Sequence, residues 1–244
     1  PDLEVILGVF SEILVAPALP EDAVVREKAS QLAAVEEAMQ DPLHVGFRAL
    51  RREVFGADGY GLDTLGSPQS LRGLTRARLV DHHARHFDAG NLTLAVAGDF
   101  DTARVLDQLA AGLGAMPAGT VRPFPQGRAR GGGEVEARLA KKQAVVAIGF
   151  PGGSVGSADR HALAMLQEYA ADMAGPLFCR IREDLGLAYQ VGATQFLGYD
   201  QGLFTFYLAT APEQAAFARA ELLAEISKIA RNGIPDDVFD RVRA

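Results

Sequence analysis

Two side chains in this sequence are of types that suit the binding of a peptide backbone: Arg182 and Tyr189. A guanidinium is a planar fork of donors that fits carbonyl oxygens, and it stabilises negative charge that develops on such an oxygen during hydrolysis. A phenol hydroxyl is a second donor. The residues are seven positions apart with Gly186 between them, so a short corner from helix to strand predicts that the two groups lie close together.

The segment around this pair has the pattern of a helix that ends at a glycine. A residue with positive φ ends a helix at low cost when it is glycine, which predicts a stop at Gly186. The run from Gln190 to Gln195 then predicts a strand, and Arg182 lies beside the apolar stripe of the helix. Three residues recur at helical spacing and predict that buried stripe: Leu177, Ile181 and Leu185.

The same residues also fit a purely structural interpretation. In that interpretation Arg182 pairs with Glu183 or Asp184 on a solvated helix surface, and Tyr189 is a half-buried aromatic residue of a strand. Residue types at a given spacing do not by themselves separate this interpretation from peptide binding.

The composition is that of an ordinary globular protein and excludes several classes. The 244 residues are 48% hydrophobic and 23% charged, which suffices for one large domain or two of about 120 residues. A single cysteine rules out an internal disulfide framework and a cysteine-built zinc site. The net charge of −7 comes without a basic run, so nucleic acid is not an expected partner. No apolar run reaches about 18 residues, so no membrane span is expected.

Hydrophobic periodicity predicts two groups of elements with a linker between them. In the first group three helices precede Gly56, a fourth runs from the N-cap Thr75 to about His86, and Asp101 caps a fifth over 102–113. Leu92–Ala97 is a β-type run. A stretch rich in Pro, Gly and Arg predicts the linker at 121–133. The second group has strands near 143–150, 188–197 and 202–210, and helices near 157–173, 176–185, 212–232 and from 235.

Residues 177–189, LFCRIREDLGLAY, resemble the S-R-L-F-x-x-L-R-E-x-x-G-L-A-Y signature of the M16 zinc metallopeptidases, the family of insulinase, pitrilysin and mitochondrial processing peptidase. The run from Asn91 to Asp101 resembles the N-x-x-L-x-V-x-G-D-x-D strand of M16 domains. In that family the Arg and Tyr of the signature lie opposite the zinc and hold the substrate backbone. The resemblance therefore implies that Arg182 and Tyr189 bind substrate and that this chain holds no catalytic residue.

The resemblance also implies an α+β fold of two M16-type units, the LuxS/MPP-like metallohydrolase fold, with antiparallel-rich sheets and helices packed on one face. Residues 1–120 match the C-terminal part of a first M16-type domain, and 134–244 match the N-terminal part of a second that carries the Arg/Tyr signature. This frame predicts that the chain is part of a longer protein.

The family binds zinc through an inverted His-x-x-Glu-His helix, and that motif is absent from the sequence. The third ligand of the family pattern falls on Ala34, which cannot coordinate a metal. Glu36 and Glu37 would each need a shift of two or three residues, or about 200 to 300° around a helix. His82 and His86 share a helix face, but no Glu is placed as a base. The sequence therefore predicts no metal site here, with these four side chains as the alternatives.

We expect a non-catalytic region or subunit of an M16-type zinc metalloendopeptidase that contributes substrate-backbone binding to peptide hydrolysis. Zinc is expected in a catalytic partner or missing domain. The expected partners are a peptide or unfolded protein and an M16 catalytic subunit, in a homo- or heterodimer. Strand edges near 143–150 and 190–196 suit pairing with an extended peptide.

Two alternatives stay open at this stage. The chain is a part of an active M16 zinc peptidase whose His-x-x-Glu-His motif lies before Pro1, or it is a structural subunit like the core proteins of respiratory complexes. The composition, rich in Ala, Arg and Gly, suggests a bacterium, and the compartment is open between cytoplasm and periplasm.

Overall fold

The computed structural model describes residues 2–121 and 132–243, so most of the expected linker lies outside the described residues. Contacts divide the chain into two compact units. The helical unit comprises Pro1–Ala33 and Ser67–Pro125, and the sheet unit comprises Ala34–Gly66 and Gln126–Ala244. The assignment of 1–120 and 134–244 to two successive M16-type domains concerns family homology and stays a prediction.

Whereas the predicted third helix belongs to the sheet unit, the helical unit contains predicted helices together with a short helix at Pro68–Arg72, which the periodicity does not predict. Its core is a cluster of Leu7, Val105 and Leu109 between the first and last helices, with Phe10 and Leu113 packed against it. The helices are α1 (Asp2–Val15), the first part of α2 (Glu21–Ala38), the short α4 (Pro68–Arg72), α5 (Arg76–His86) and α6 (Thr102–Leu113).

Two predicted caps in this unit are confirmed. The Thr75 hydroxyl accepts a hydrogen bond from Arg78 N at 3.3 Å, and an Asp101 carboxylate oxygen accepts one from Arg104 N at 3.0 Å. Each satisfies a backbone N–H that has no partner within its own helix. The caps therefore fix where α5 and α6 begin.

The predicted strand at Leu92–Ala97 is wrong, because these residues form neither strand nor helix. A strand needs a neighbour to take its backbone N–H and C=O groups, and the described residues of the helical unit contain no strand that could do so. The apolar alternation of a strand is present in this run, but the described part of the unit offers it no partner.

The sheet unit has one antiparallel sheet with the strand order β1-β3-β2. Within the described residues β1 and β2 are therefore its edges, as the predicted edges near 143–150 and 190–196 require. Its elements are α3 (Pro42–Phe55), β1 (Ala144–Gly152), α7 (Arg160–Ala171), a π-helix (Phe178–Asp184), β2 (Gln190–Leu197), β3 (Gly202–Thr210), α8 (Ala215–Asn232) and α9 (Asp236–Arg243).

Helices cover both faces of this sheet, which corrects the prediction of helices on one face. On one side Phe206 and Leu208 of β3 join the main core with residues of the π-helix and α8. On the other side Phe47 of α3 meets the Tyr207 ring edge to face, with ring centroids 5.2 Å apart. The reason lies in β3, which is apolar at nearly every position rather than alternating, so both of its faces need cover.

A search of the described residues finds no helix that combines the length and apolar character needed to cross a membrane.

Candidate peptide-binding site

The helix that carries Arg182 is confirmed, and residues 178–184 wind as a π-helix. Leu177 and Ile181 are fully buried in the core of the sheet unit, and Leu185 packs against that core, so the predicted apolar stripe is confirmed. Short π-helical insertions widen a helix locally and occur frequently at functional sites. The buried stripe holds this wide turn against the sheet and leaves its opposite side exposed.

Gly186 ends the π-helix with a φ of 59°, as predicted. Its N–H donates to Arg182 O at 3.2 Å, and Leu187 N donates to Ile181 O at 2.9 Å. Leu187 and Ala188 are then buried, which turns the chain into the sheet. We call residues 181–189 the signature corner. Its own backbone hydrogen bonds and its buried residues hold its conformation.

Tyr189 lies at the end of the signature corner with its side chain open to solvent. Its backbone N–H donates to Ala209 O at 3.0 Å, which joins it to the last part of β3. Its side chain is nevertheless 71% exposed. The structural interpretation predicted that Tyr189 is half-buried in a strand, and this prediction is wrong.

Arg182 is exposed and lies over an aromatic ring. Its guanidinium carbon is 4.8 Å from the centroid of the Phe178 ring, a cation–π contact along the π-helix. Within the described residues no carboxylate pairs with Arg182, and Asp184 lies instead 3.8 Å from Arg180. The ion pair with Glu183 or Asp184 that the structural interpretation requires is therefore not formed.

Arg182 lies on the π-helix and Tyr189 directly before β2, and both residues are exposed. Among the described residues no hydrogen bond joins the two side chains, so both sets of donors are available to a ligand. The closeness of the guanidinium and the hydroxyl that the spacing suggested stays a prediction.

Arg180 is a neighbour whose importance was missed from the sequence. Its guanidinium makes a partly buried ion pair with Glu221 of α8, with nitrogen and oxygen 3.2 Å apart. Because Glu221 is 41 positions away, no local pattern could have revealed the pair. It holds the π-helix to α8, two residues from Arg182.

One group near this core has a shifted pKa. Burial raises the pKa of Tyr169 above its ordinary value of 10.0, and the negative charges of Glu225 and Asp237 raise it further. Each of these effects disfavours the phenolate. Tyr169 belongs to α7 and packs against the main core, so its titration reports on the packing of the sheet unit.

The metal-ligand alternatives do not assemble into a site. Glu36 and Glu37 are exposed at the end of α2, and the rings of His82 and His86 lie 4.3 Å apart on the exposed side of α5. Across 2–121 and 132–243 no group of three or more His, Cys, Asp or Glu residues is placed to hold a metal ion. Ala34 occupies the position where the family pattern has a ligand, so the described residues do not fit the zinc of this family.

Comparison with models of protein families identifies the family of this chain. A model described as the Peptidase M16 inactive domain matches residues 73–244, which is more than half of the chain. The chain belongs to the M16 peptidase family. The resemblance that the signature residues indicated is therefore confirmed, and so is the type of region, an M16 inactive domain.

Curated relatives of this M16 chain are longer than it is. An uncharacterized zinc protease of Rickettsia bellii is 26% identical over 242 residues, which cover 97% of this chain and 58% of the relative. One from Streptomyces coelicolor is 28% identical over 249 residues, 98% of this chain and 54% of the relative. The chain therefore spans just over half the length of these relatives.

Solved structures share the fold of this M16 chain. The crystal structure of a peptidase M16 inactive domain from Pseudomonas fluorescens superposes with a TM-score of 0.83 at 22% identity, over 97% of this chain and 58% of that one. At such an identity the likeness establishes the fold alone, which is α+β with an antiparallel sheet.

Proposed function

We propose that this M16 chain is a non-catalytic region of a zinc metalloendopeptidase and that Arg182 and Tyr189 bind the backbone of its peptide substrate. One observation carries the proposal. Both side chains are exposed on a corner whose backbone is fixed by buried neighbours, Ile181 before Gly186 and Leu187 after it. Donors held in place before the ligand arrives lose little freedom on binding, so more of their interaction energy appears as affinity.

The adjoining sheet edge supplies a second means of holding a peptide. Tyr189 directly precedes β2 (Gln190–Leu197), an edge strand of the described sheet. An extended peptide can add to such an edge through backbone hydrogen bonds, which read no particular sequence. Arg182 and Tyr189 would then meet carbonyl groups at the end of that added strand. The net charge of −7 favours a basic peptide.

The hydrolytic step belongs elsewhere in this proposal. A bound zinc polarises a carbonyl and lowers the pKa of its water, and the described residues offer no ligand set for one. We place the metal in a catalytic M16 half, carried by the same longer polypeptide or by a dimeric partner. The role of this chain is then to orient the substrate.

The test is peptide affinity in variants of the two residues. We expect Arg182→Ala to weaken binding of a labelled, unfolded basic peptide by about 10- to 100-fold, because a charged hydrogen bond contributes about 1.5 to 3 kcal/mol. Tyr189→Phe removes a neutral donor and is expected to cost about threefold to tenfold. Fluorescence anisotropy with the purified chain gives both values.

Matched controls separate a site from a general effect of charge or surface. Arg231→Ala removes another exposed arginine of the sheet unit, and Tyr199→Phe alters a tyrosine that is 69% exposed. Both are expected to bind like the unaltered chain. Unchanged affinity in both Arg182→Ala and Tyr189→Phe, with folding intact, would end the proposal.

A structural subunit is the second candidate, and one observation favours it. A chain of complex III2 from Candida albicans has a TM-score of 0.80 with this chain at 18% identity, over 98% of this chain and 59% of that one. This function requires no peptide binding and predicts indifference to Arg182→Ala. A further alternative is that this chain is one part of an active zinc peptidase. The greater length of the zinc protease relatives favours it.

A further inference from the structure

Gln167 of α7 occupies a backbone donor of the edge strand β2. Gln195 N donates to Gln167 Oε1 at 2.9 Å, and both residues are half-buried. Leu163 and Leu166 of the same helix pack against the main core, which contains Ala193 of β2, so α7 packs against the sheet at this strand. A backbone N–H that an edge strand would otherwise offer to another strand is therefore used within the chain.

The bond between Gln195 and Gln167 shows which groups of β2 face outward. In an antiparallel ladder, successive residues point their N–H and C=O groups alternately toward the partner strand and away from it. Gln195 N donates to α7 and not to β3, so the backbone groups of Gln195 face the outer edge. With a period of two residues, Val191 and Ala193 face the same edge. An added peptide strand would pair with these three residues.

This alternation begins at Gln190, because the chain makes a bulge just before it. Tyr189 N donates to Ala209 O, while Gln190 is the register partner of the same Ala209. Two residues opposite one is the arrangement of a β-bulge, which bends a strand and re-aims a side chain. Tyr189 therefore lies outside the alternating part of β2, and Val191 is the first residue that faces the outer edge.

Burial leaves the beginning of this edge as its open part. Val191 is half-buried, whereas Ala193 is only 6% exposed. At Gln195 the N–H is already used by Gln167. Of the three outward-facing residues, Val191 is thus the one whose backbone groups remain for a peptide, and it lies two residues after Tyr189.

We propose that Gln167 is a positioning residue that confines the pairing of a peptide to the start of β2, at Val191. The inference rests on the proposed function, since it concerns the peptide that Arg182 and Tyr189 bind. A peptide carbonyl that replaced Gln167 at Gln195 would exchange one amide hydrogen bond for another and leave Oε1 of Gln167 unpaired, so the exchange brings no gain. The ligand class is accordingly an extended peptide of which only a short segment pairs with the sheet.

Amide hydrogen exchange of the 244-residue chain, followed by NMR with and without an excess of an unfolded basic peptide, tests this inference. In the unaltered chain we expect the peptide to slow exchange at Val191 by at least about 10-fold and to leave the already protected Gln195 amide unchanged. In Gln167→Ala without peptide, the Gln195 amide should exchange at least about 10-fold faster than in the unaltered chain. The peptide should then slow it.

Two further variants of α7 serve as controls. Gln167→Glu retains a side-chain oxygen that accepts hydrogen bonds, so the Gln195 amide should stay protected without peptide. Glu168→Ala removes the exposed neighbouring side chain and should behave like the unaltered chain. Exchange of the β3 amides should stay slow in every variant, which reports that the sheet is folded.

Each other result overturns the inference. Peptide binding that depends on Arg182 but leaves the Gln195 amide of Gln167→Ala unprotected would overturn it alone, and so would peptide-induced slowing at Gln195 in the unaltered chain. Faster exchange along the whole of α7 in Gln167→Ala would assign Gln167 a purely structural role. Binding that is indifferent to both Arg182→Ala and Tyr189→Phe would instead end the proposed function, and this inference with it.

Discussion

Arg182 gains a defined position from the residue one turn before it. The Phe178 ring lies 4.8 Å from the guanidinium carbon and orients the charged group without neutralising it, as a carboxylate would. The ion pairs of this segment are made instead by Arg180, with Glu221 and Asp184. Arg180 therefore holds the π-helix in place, and the guanidinium of Arg182 remains available to bind a ligand.

Tyr169 provides a prediction at the scale of a single residue. The unfolded chain releases the phenol proton near its ordinary pKa of 10.0, and the folded chain releases it at higher pH. Between these values the folded state binds more protons, so the free energy of unfolding should fall as the pH rises above about 10. We expect Tyr169→Phe to show a shallower fall in urea unfolding measured from pH 8 to 11.

The comparison of Tyr169→Phe with the unaltered chain includes a control at lower pH. Below pH 9 the phenol is protonated in both states, so the difference in unfolding free energy between Tyr169→Phe and the unaltered chain should be constant there. Other titrating groups are common to both proteins and cancel in the difference. Parallel curves across the whole range would contradict the raised pKa.

At the scale of elements, Gly186 connects the π-helix to β2 and sets the direction in which Tyr189 leaves the helix. Its φ of 59° is a conformation that glycine adopts freely and that other residues adopt at a cost. A Cβ at this position would meet nothing within 4 Å. Any cost of substitution is therefore the cost of the backbone conformation itself.

We predict that Gly186→Ala lowers the free energy of unfolding by about 1 to 2 kcal/mol. Gly186→Asn should cost less, because asparagine tolerates the left-handed region better. Gly156→Ala is the matched control, since its Cβ also meets nothing and its φ is not positive. Urea unfolding measures all three, and equal stability of Gly186→Ala and Gly156→Ala would mean that the corner carries no strain.

Another element-scale feature fixes the end of β2. Tyr199 N donates to the Tyr60 hydroxyl oxygen at 2.7 Å, and the rings of Tyr60 and Phe196 lie 5.2 Å apart. Arg51 of α3 lies over the same Phe196 ring at 4.5 Å. These contacts tie α3 and the loop after it to the edge strand that we propose for peptide pairing.

At the scale of the whole molecule, the question is whether this chain holds a metal. We predict clearly less than one zinc per chain after purification in chelator-free buffer, because the described residues bring no three ligands together and Ala34 replaces one of the family pattern. Elemental analysis measures the content. A catalytic M16 half with an intact His-x-x-Glu-His motif serves as the positive control.

One tightly held zinc per chain would contradict this prediction. His82→Ala with His86→Ala, and separately Glu36→Ala with Glu37→Ala, would then identify the ligands by the loss of bound metal. Neither pair belongs to the proposed peptide site, so this outcome leaves the test of Arg182 and Tyr189 unaffected.

Local signals in the sequence determined most of the elements and the family of this protein. Helix periodicity, the caps Thr75 and Asp101, and the glycine stop at Gly186 depend on residues within a few positions of one another, so the chain displays them directly. The Arg/Tyr signature is a continuous string, and for the same reason the amino-acid sequence alone suffices to identify the M16 family.

Tertiary structure decided the features that depend on distant partners. Leu92–Ala97 has the pattern of a strand but no strand beside it among the described residues, because pairing is a property of two segments and not of one. The cover of the second sheet face by α3, the Arg180–Glu221 pair across 41 positions and the Tyr60–Tyr199 bond across 139 positions likewise join segments whose meeting no local pattern encodes. The sequence therefore determined most of the local elements, and the fold determined which other segments they meet.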